Sequence, residues 1–141
     1  MNYWLVKSEP EKYGWHHFTE QGRATWDGVR NYQARNNLRA MRQGDQVLFY
    51  HSVTKPAVVG LACVVHEAYS DPTAHPEPNG KPTPWCVVDL EPMLAFAQSV
   101  SLAQIKAEPM LANIALIKQS RLSVMPIKTD EFELIVKMGT N

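Results

Sequence analysis

Several features that would announce a function are missing from this sequence. It has only two cysteines in 141 residues. Each of them, Cys63 and Cys86, lies in an apolar, β-branched stretch with no second cysteine at CxxC spacing, which excludes a disulfide framework and reads as two small buried hydrophobes in a reducing compartment. Of the five histidines, His16 and His17 are adjacent and point apart, while His51, His66 and His75 fit no HxxxH pairing, so neither a metal nor a cofactor is expected. A Gly-rich phosphate loop and a G-x-S-x-G elbow are both lacking. Leu61 to Val65 is among the longest unbroken apolar runs, far short of the roughly 18 residues a membrane span needs. Ahead of the strand-like Tyr3 to Val6 there is no basic, apolar or cleavable leader. The expected location is cytoplasmic, or nuclear in a host with a nucleus.

The net charge is also zero, which argues against a protein that coats nucleic acid by bulk electrostatics. Its distribution is uneven. From Arg23 to Arg42 five arginines face one acid, Asp27, whereas from Glu67 to Glu91 five acids face Lys81 alone. This pattern fits either a localised phosphate contact or two solvated surfaces of opposite sign. With 45% apolar residues the chain can bury one core, so a single domain over 1–141 is expected.

Along the chain, Tyr3 to Lys7 reads as a strand that ends at Ser8-Glu9-Pro10. After a short mixed segment and a turn at Asp27-Gly28, Ala34, Leu38 and Met41 repeat at helical spacing, with Asn31 as N-cap and Gly44 past the end. Arg35, Arg39 and Arg42 form a charged stripe on that helix. Gln46 to His51 and Val58 to His66 read as a hairpin around Thr54-Lys55-Pro56. Gly60 and Ala62 either admit something bulky against the sheet or mark a bulge. Five prolines make Ser70 to Pro84 an irregular loop, and Trp85 to Leu90 resumes as strand. Ser101 and Gln104 form a capping box on a helix through Ala107. Arg121 to Val124 is expected as a strand, and Thr129 as the cap of a last helix stopped by Gly139. Short strands interleaved with helices, without regular βαβ units, indicate an α+β fold on a curled, mostly antiparallel sheet.

Three clusters carry more specific information: Trp4-Leu5-Val6-Lys7-Ser8-Glu9-Pro10, Thr25-Trp26-Asp27-Gly28-Val29-Arg30-Asn31-Tyr32-Gln33-Ala34-Arg35-Asn36, and Tyr50-His51-Ser52 with Val59-Gly60-Leu61-Ala62. Together with Gln119-Ser120-Arg121-Leu122-Ser123-Val124 they make almost the whole chain resemble the EVE domain, known from the thymocyte nuclear protein family and its bacterial relatives. The resemblance implies a PUA-like pseudo-barrel with peripheral helices, akin to YTH readers of methylated adenine. It also implies a cavity that accepts a single modified base, often a modified cytosine, from DNA or RNA.

The residue chemistry agrees with that implication. A base read in a pocket must be flipped out, and the pocket must then replace its stacking and pairing partners. Trp26, beside the Asp27-Gly28 turn, is the first candidate stacking platform, with a plain core role as the alternative. Ser8 and Asn31 offer groups that read a base edge, although Asn31 alternatively serves only as a helix cap. His51 and Ser52 are either pocket rim or turn flank, and Trp85 is either a second aromatic wall or core. Trp4 and Trp15 are assigned to packing. Lys7, Arg30, Arg35, Arg39, Arg42 and Arg121 suit backbone phosphate.

The expectation is a monomeric binding module, not an enzyme. Two alternatives stand beside it: a small ASCH-like hydrolase using Lys7 and Glu9, and a protein-interaction domain using the Pro-rich loop. Lys7 and Glu9 share one side of a strand while Ser8 points away, so the three do not form a triad.

Overall fold

In the computed structural model, which describes residues Met1–Asn141, the first strand lies inside the sheet. β1 (Tyr3–Ser8) buries Trp4, Leu5 and Val6 in succession, as a strand covered on both faces must. It pairs in parallel with β3 (Gln46–His51) and antiparallel with β6 (Val124–Ile127). β4 (Ala57–Ser70) and β5 (Cys86–Ser101) form a long antiparallel pair, and the two-residue β2 (Ala24–Thr25) adds to β5. The order is β2-β5-β4-β3-β1-β6. Repeated register shifts along β3, β4 and β5 curl the sheet, since each bulge bends its strand. The fold is therefore α+β on a mixed, mostly antiparallel sheet that curls without closing, because β2 and β6 remain its two edges.

Helices α1 (Pro10–Tyr13) and α2 (Trp15–Gln21) occupy the segment that shows no clear sequence periodicity, and α3 (Tyr32–Ala40) follows the Trp26–Arg30 turn. The α2 helix seats Phe18, fully buried, in a stack on Phe49 with ring centroids 5.3 Å apart. Trp15 lies over Gly60, where an added Cβ would sit 2.5 Å from its ring. The bulky group that the small residues of β4 admit is thus the protein's own indole. At the end of α3, the buried Asp45 carboxylate accepts from the Trp4 indole at 3.0 Å, from the Arg42 amide at 3.0 Å and from the Asn2 amide at 3.2 Å. These bonds tie the α3–β3 turn to the start of β1, and they compensate the desolvation of a carboxylate that faces no cation.

The remaining helices are α4 (Leu102–Ala107), a 3-10 turn at Pro109–Leu111, α5 (Ala115–Lys118) and α6 (Thr129–Thr140). The Ser101–Gln104 capping box forms in both directions, at 3.1 and 2.8 Å.

Several expected boundaries move. The strand expected at Arg121 to Val124 begins only at Val124 and runs to Ile127. Pro126 is tolerated in it because β6 is an edge strand whose outer side needs no N–H donor. Thr129 is the first helical residue of α6 rather than its cap, and Glu131 accepts from the preceding Lys128 amide at 3.1 Å. β4 and β5 outrun their expected ends at His66 and Leu90, because pairing with each other outweighs the weak pattern of their outer halves.

Gly139 does not stop α6. It is buried inside the helix, where an added Cβ would lie 2.2 Å from the Phe96 ring of β5. Glycine is needed here for close approach, not for a turn. In an open helix, replacing glycine by alanine gains roughly 1 kcal/mol. Gly139→Ala is expected instead to destabilise by about 1–3 kcal/mol, the usual range for overpacking. Denaturant melts of Gly139→Ala with and without Phe96→Ala check this, the double variant recovering part of the loss.

Candidate nucleic-acid interface

Two clefts open where β1 ends and the Trp26–Arg30 turn crosses it. The first, about 820 Å³, is lined by Lys7, Ser8, Tyr13, Gln21, Arg23, Trp26, Asp27, Arg30 and Ser123 among others. The second, about 830 Å³, shares Lys7, Ser8, Asp27 and Ser123 with it and adds Glu9, Lys12, Tyr50 and Ser52. Local sequence explains why these groups converge. The parallel pairing of β1 brings Ser8 beside His51. The segment before β6 is strapped to β1 by the Lys7 amide on the Ser123 carbonyl at 2.9 Å and by Lys7 Nζ on the Ser120 carbonyl at 2.8 Å. Burial pushes the Lys7 ammonium below its ordinary pKa.

Trp26 is more buried than its polar neighbours in sequence suggest. It retains 8% exposure, its amide donates to the Val88 carbonyl at 2.8 Å, and its indole packs edge to face against Phe49 and Tyr13, at 5.6 and 6.2 Å. It is both core residue and cleft lining. Trp26 Nε1 has no partner within the chain, and no buried side-chain nitrogen or oxygen in the protein lacks one. The indole N–H is therefore not fully buried, and Trp26 lines the first cleft. Tyr13, which no sequence pattern singles out, is the second aromatic residue of that cleft. Its ring stands 75° to the Trp26 ring, and its hydroxyl donates to Gln21 Oε1. Ser8 Oγ donates to the Tyr13 carbonyl, which fixes α1 against the strand end.

The turn that carries Trp26 and Asp27 is held from outside. Asp71, 3% exposed, accepts from the Gly28 amide at 3.0 Å and from the Arg30 guanidinium at 2.9 Å on one oxygen. The other oxygen takes the Thr73 amide and hydroxyl at 2.7 and 2.6 Å. Burial alone would raise the carboxyl pKa, but the bonds from Thr73, Arg30 and Gly28 outweigh it and hold the group at about 2. Gly28, at φ +78°, takes the left-handed conformation that presents its amide to that carboxylate.

Other sequence candidates are placed elsewhere. Asn31 Oδ1 accepts from the Ala34 amide at 2.9 Å, so its side chain caps α3, and it lies with Arg121 in a separate shallow pocket of about 350 Å³. His51 turns inward and accepts the Trp15 amide on Nε2 at 3.0 Å. Burial lowers its pKa, opposed by the nearby Glu11, and the ring lines neither cleft. Ser52 borders only the second cleft. Trp85 packs against Tyr32, with centroids 4.8 Å apart, and beneath the Arg30 guanidinium, outside the first cleft. Of the arginine stripe, Arg35 and Arg39 reach the Pro84 carbonyl at 3.3 and 3.5 Å, and Arg42 reaches backbone carbonyls of its own helix end. Arg30 and Lys7 are the expected phosphate-binding residues that do border the first cleft. Glu9 pairs with Lys12 at 3.5 Å, so Lys7 and Glu9 are engaged separately. No helix is long and apolar enough to cross a membrane.

The sheet is curled and mixed, and the first cleft, with Tyr13 and Trp26 in its lining, lies at the end of its parallel β1–β3 pair. The EVE domain family model matches residues 2–138, and the chain belongs to that family. Mouse thymocyte nuclear protein 1 is 37% identical over 97% of this chain and 73% of its own length. A crystal structure of an Agrobacterium tumefaciens protein superposes with a TM-score of 0.92 at 42% identity, covering 99% of this chain and 93% of that one. Human THYN1 in complex with DNA containing 5-methylcytosine superposes with a TM-score of 0.88 at 31% identity, over 100% of this chain and 99% of that one. The YTH domain of Zygosaccharomyces rouxii MRB1, at 13% identity and a TM-score of 0.58, shares the fold.

The Asp71 clamp has a pH signature. Its pKa is depressed from 3.8 to about 2, so its contribution is fully present above pH 4 and is lost as pH falls through about 2. By linkage this contribution is worth about 2 kcal/mol. Asp71→Asn is expected to cost that much at pH 7. Melts recorded down the pH scale should show the variant and the native protein converging between about pH 4 and pH 2.

Proposed function

We propose that the chain is a nucleic-acid-binding module that takes one flipped-out, modified base of DNA or RNA into the first cleft. The observation that carries this reading is the meeting of Tyr13 and the Trp26 indole edge with Lys7 and Arg30 in one cleft of about 820 Å³. That volume lies in the range of small-ligand sites. A flipped base needs an aromatic surface and a few polar groups, and its backbone needs cations at the rim. Human THYN1, with 5-methylcytosine DNA, supports the same reading by kinship. The base lies against Tyr13, the less buried of the two rings. Trp26 then stands nearly perpendicular to the base and contributes through its edge.

Binding rather than catalysis is the proposed role of Lys7. Its ammonium is held by a backbone carbonyl, and Glu9 is held by Lys12, so no acid–base pair is poised over the cleft.

Tyr13→Ala is expected to weaken binding of a single-stranded oligonucleotide carrying 5-methylcytosine by about 5- to 150-fold, the range for loss of one stacking surface. Tyr13→Phe should bind nearly as well as the native protein. Fluorescence anisotropy titrations measure both. Unchanged affinity in a folded Tyr13→Ala would remove the base from this cleft.

A further inference from the structure

The first cleft contains one carboxylate, and it is unlike every other charged group there. Arg23 is bonded to Asp89 at 2.9 Å, Arg30 to Asp71 at 2.9 Å, and Lys7 to the Ser120 carbonyl at 2.8 Å. Asp27 has no hydrogen bond and no ion pair within the chain, although it is next to Trp26 in sequence and borders both clefts. Its immediate neighbour supplies the opposite function, because the Trp26 indole N–H is unpartnered and not fully buried. An indole N–H can only donate and an ionised carboxylate can only accept. The turn held by Asp71 thus carries, in consecutive residues that line the same cleft, a donor and an acceptor that have no partner within the chain.

We propose that Asp27 and the Trp26 indole N–H select the base by its edge, accepting an exocyclic amine and donating to the adjacent ring nitrogen. This rests on the reading of the first cleft as a base site. Cytosine offers that edge through its N4 amine and N3, and adenine through its N6 amine and N1. Thymine and uracil offer the reverse, a carbonyl that faces the carboxylate and a ring N–H that faces the indole. Carboxylate acceptance from the cytosine amine is an established base contact. A site built to hydrogen-bond a group discriminates more strongly than one that merely encloses a methyl, since the mismatched base leaves polar groups unpaired. The edge of the base, more than its methyl group, is what the cleft reads.

5-Methylcytosine and thymine carry the same 5-methyl group and differ only at this edge, so they isolate the proposal. Four single-stranded oligonucleotides, identical except for cytosine, 5-methylcytosine, uracil or thymine at one position, are titrated against the native protein, Asp27→Asn and Trp26→Phe. The native protein is expected to prefer 5-methylcytosine to thymine by about ten-fold or more. Asp27→Asn, whose amide can also donate to the thymine carbonyl, should narrow that preference to less than about two-fold. Its melting curve should be unchanged, because the side chain is exposed and unpartnered. Trp26→Phe keeps an aromatic ring in the core and should narrow the preference in the same sense. Equal affinity of the native protein for 5-methylcytosine and thymine overturns the proposal, as does an Asp27→Asn variant that keeps the full preference. If those strands bind alike and Tyr13→Ala still weakens both, the cleft holds a base that Asp27 does not read. If none of the four binds the native protein, the base-site reading falls as well.

Discussion

The Asp71 carboxylate gathers four donors from two segments that belong to no strand or helix: the Gly28 amide and Arg30 guanidinium of one, and the Thr73 amide and hydroxyl of the other. Burying such a charge is unfavourable unless it is paired and fully hydrogen-bonded. The geometry here meets that condition. A turn that presents Trp26 and Asp27 to a cleft would otherwise be free to move, and a loop with five prolines has little regular structure to restrain it. The clamp makes each segment the support of the other. Arg30 illustrates the economy of the arrangement, since its guanidinium joins Asp71 and lies over Trp85 while still bordering the cleft.

This constraint links the acidic and basic stretches of the sequence. Their opposition in charge contributes to internal cohesion: Arg30 pairs with Asp71, and Arg23 with Asp89 and Glu91. Asp89 further accepts the Thr25 and Tyr69 hydroxyls at 3.1 and 2.6 Å. Burial works against its ionisation and these bonds prevail, so its pKa too is held below the ordinary value. The basic α3 stripe, apart from Arg42, is turned toward the Pro-rich loop through the Pro84 carbonyl.

Much of the architecture was legible in the sequence because it rests on local signals. The β1 strand, the Asn31 cap, the β3–β4 hairpin and the Ser101 capping box all follow from patterns a few residues long. What was not legible depends on contacts across the fold. Gly139 reads as a helix stop until Phe96 is seen against it. The strand expected at Arg121 to Val124 runs instead from Val124 to Ile127, because its pairing with β1 sets its bounds. At the candidate site, the W-D-G-V-R-N string falls in the turn that lines the first cleft, and Ser8, Lys7 and Arg30 border the same cleft. Asn31, His51 and Trp85 were candidates because their side chains can read or stack on bases, yet each is engaged in capping or packing. Tyr13 and Gln21 carry no periodic or motif signal and are recruited only because α1 and α2 fold over the end of β1.

The proposed function requires that a base enter the cleft between Tyr13 and the Trp26–Arg30 turn. The Trp26 indole N–H reports on it directly, since it gives its own signal in a nitrogen–proton correlation spectrum and has no partner in the free protein. Titration with a short 5-methylcytosine oligonucleotide should shift that resonance strongly, together with the Gly28 and Arg30 backbone amides. Shifts confined to the Arg35–Arg42 face of α3 and the Pro-rich loop, with the Trp26 indole unmoved, would contradict the account and place the nucleic acid on the outer basic surface instead.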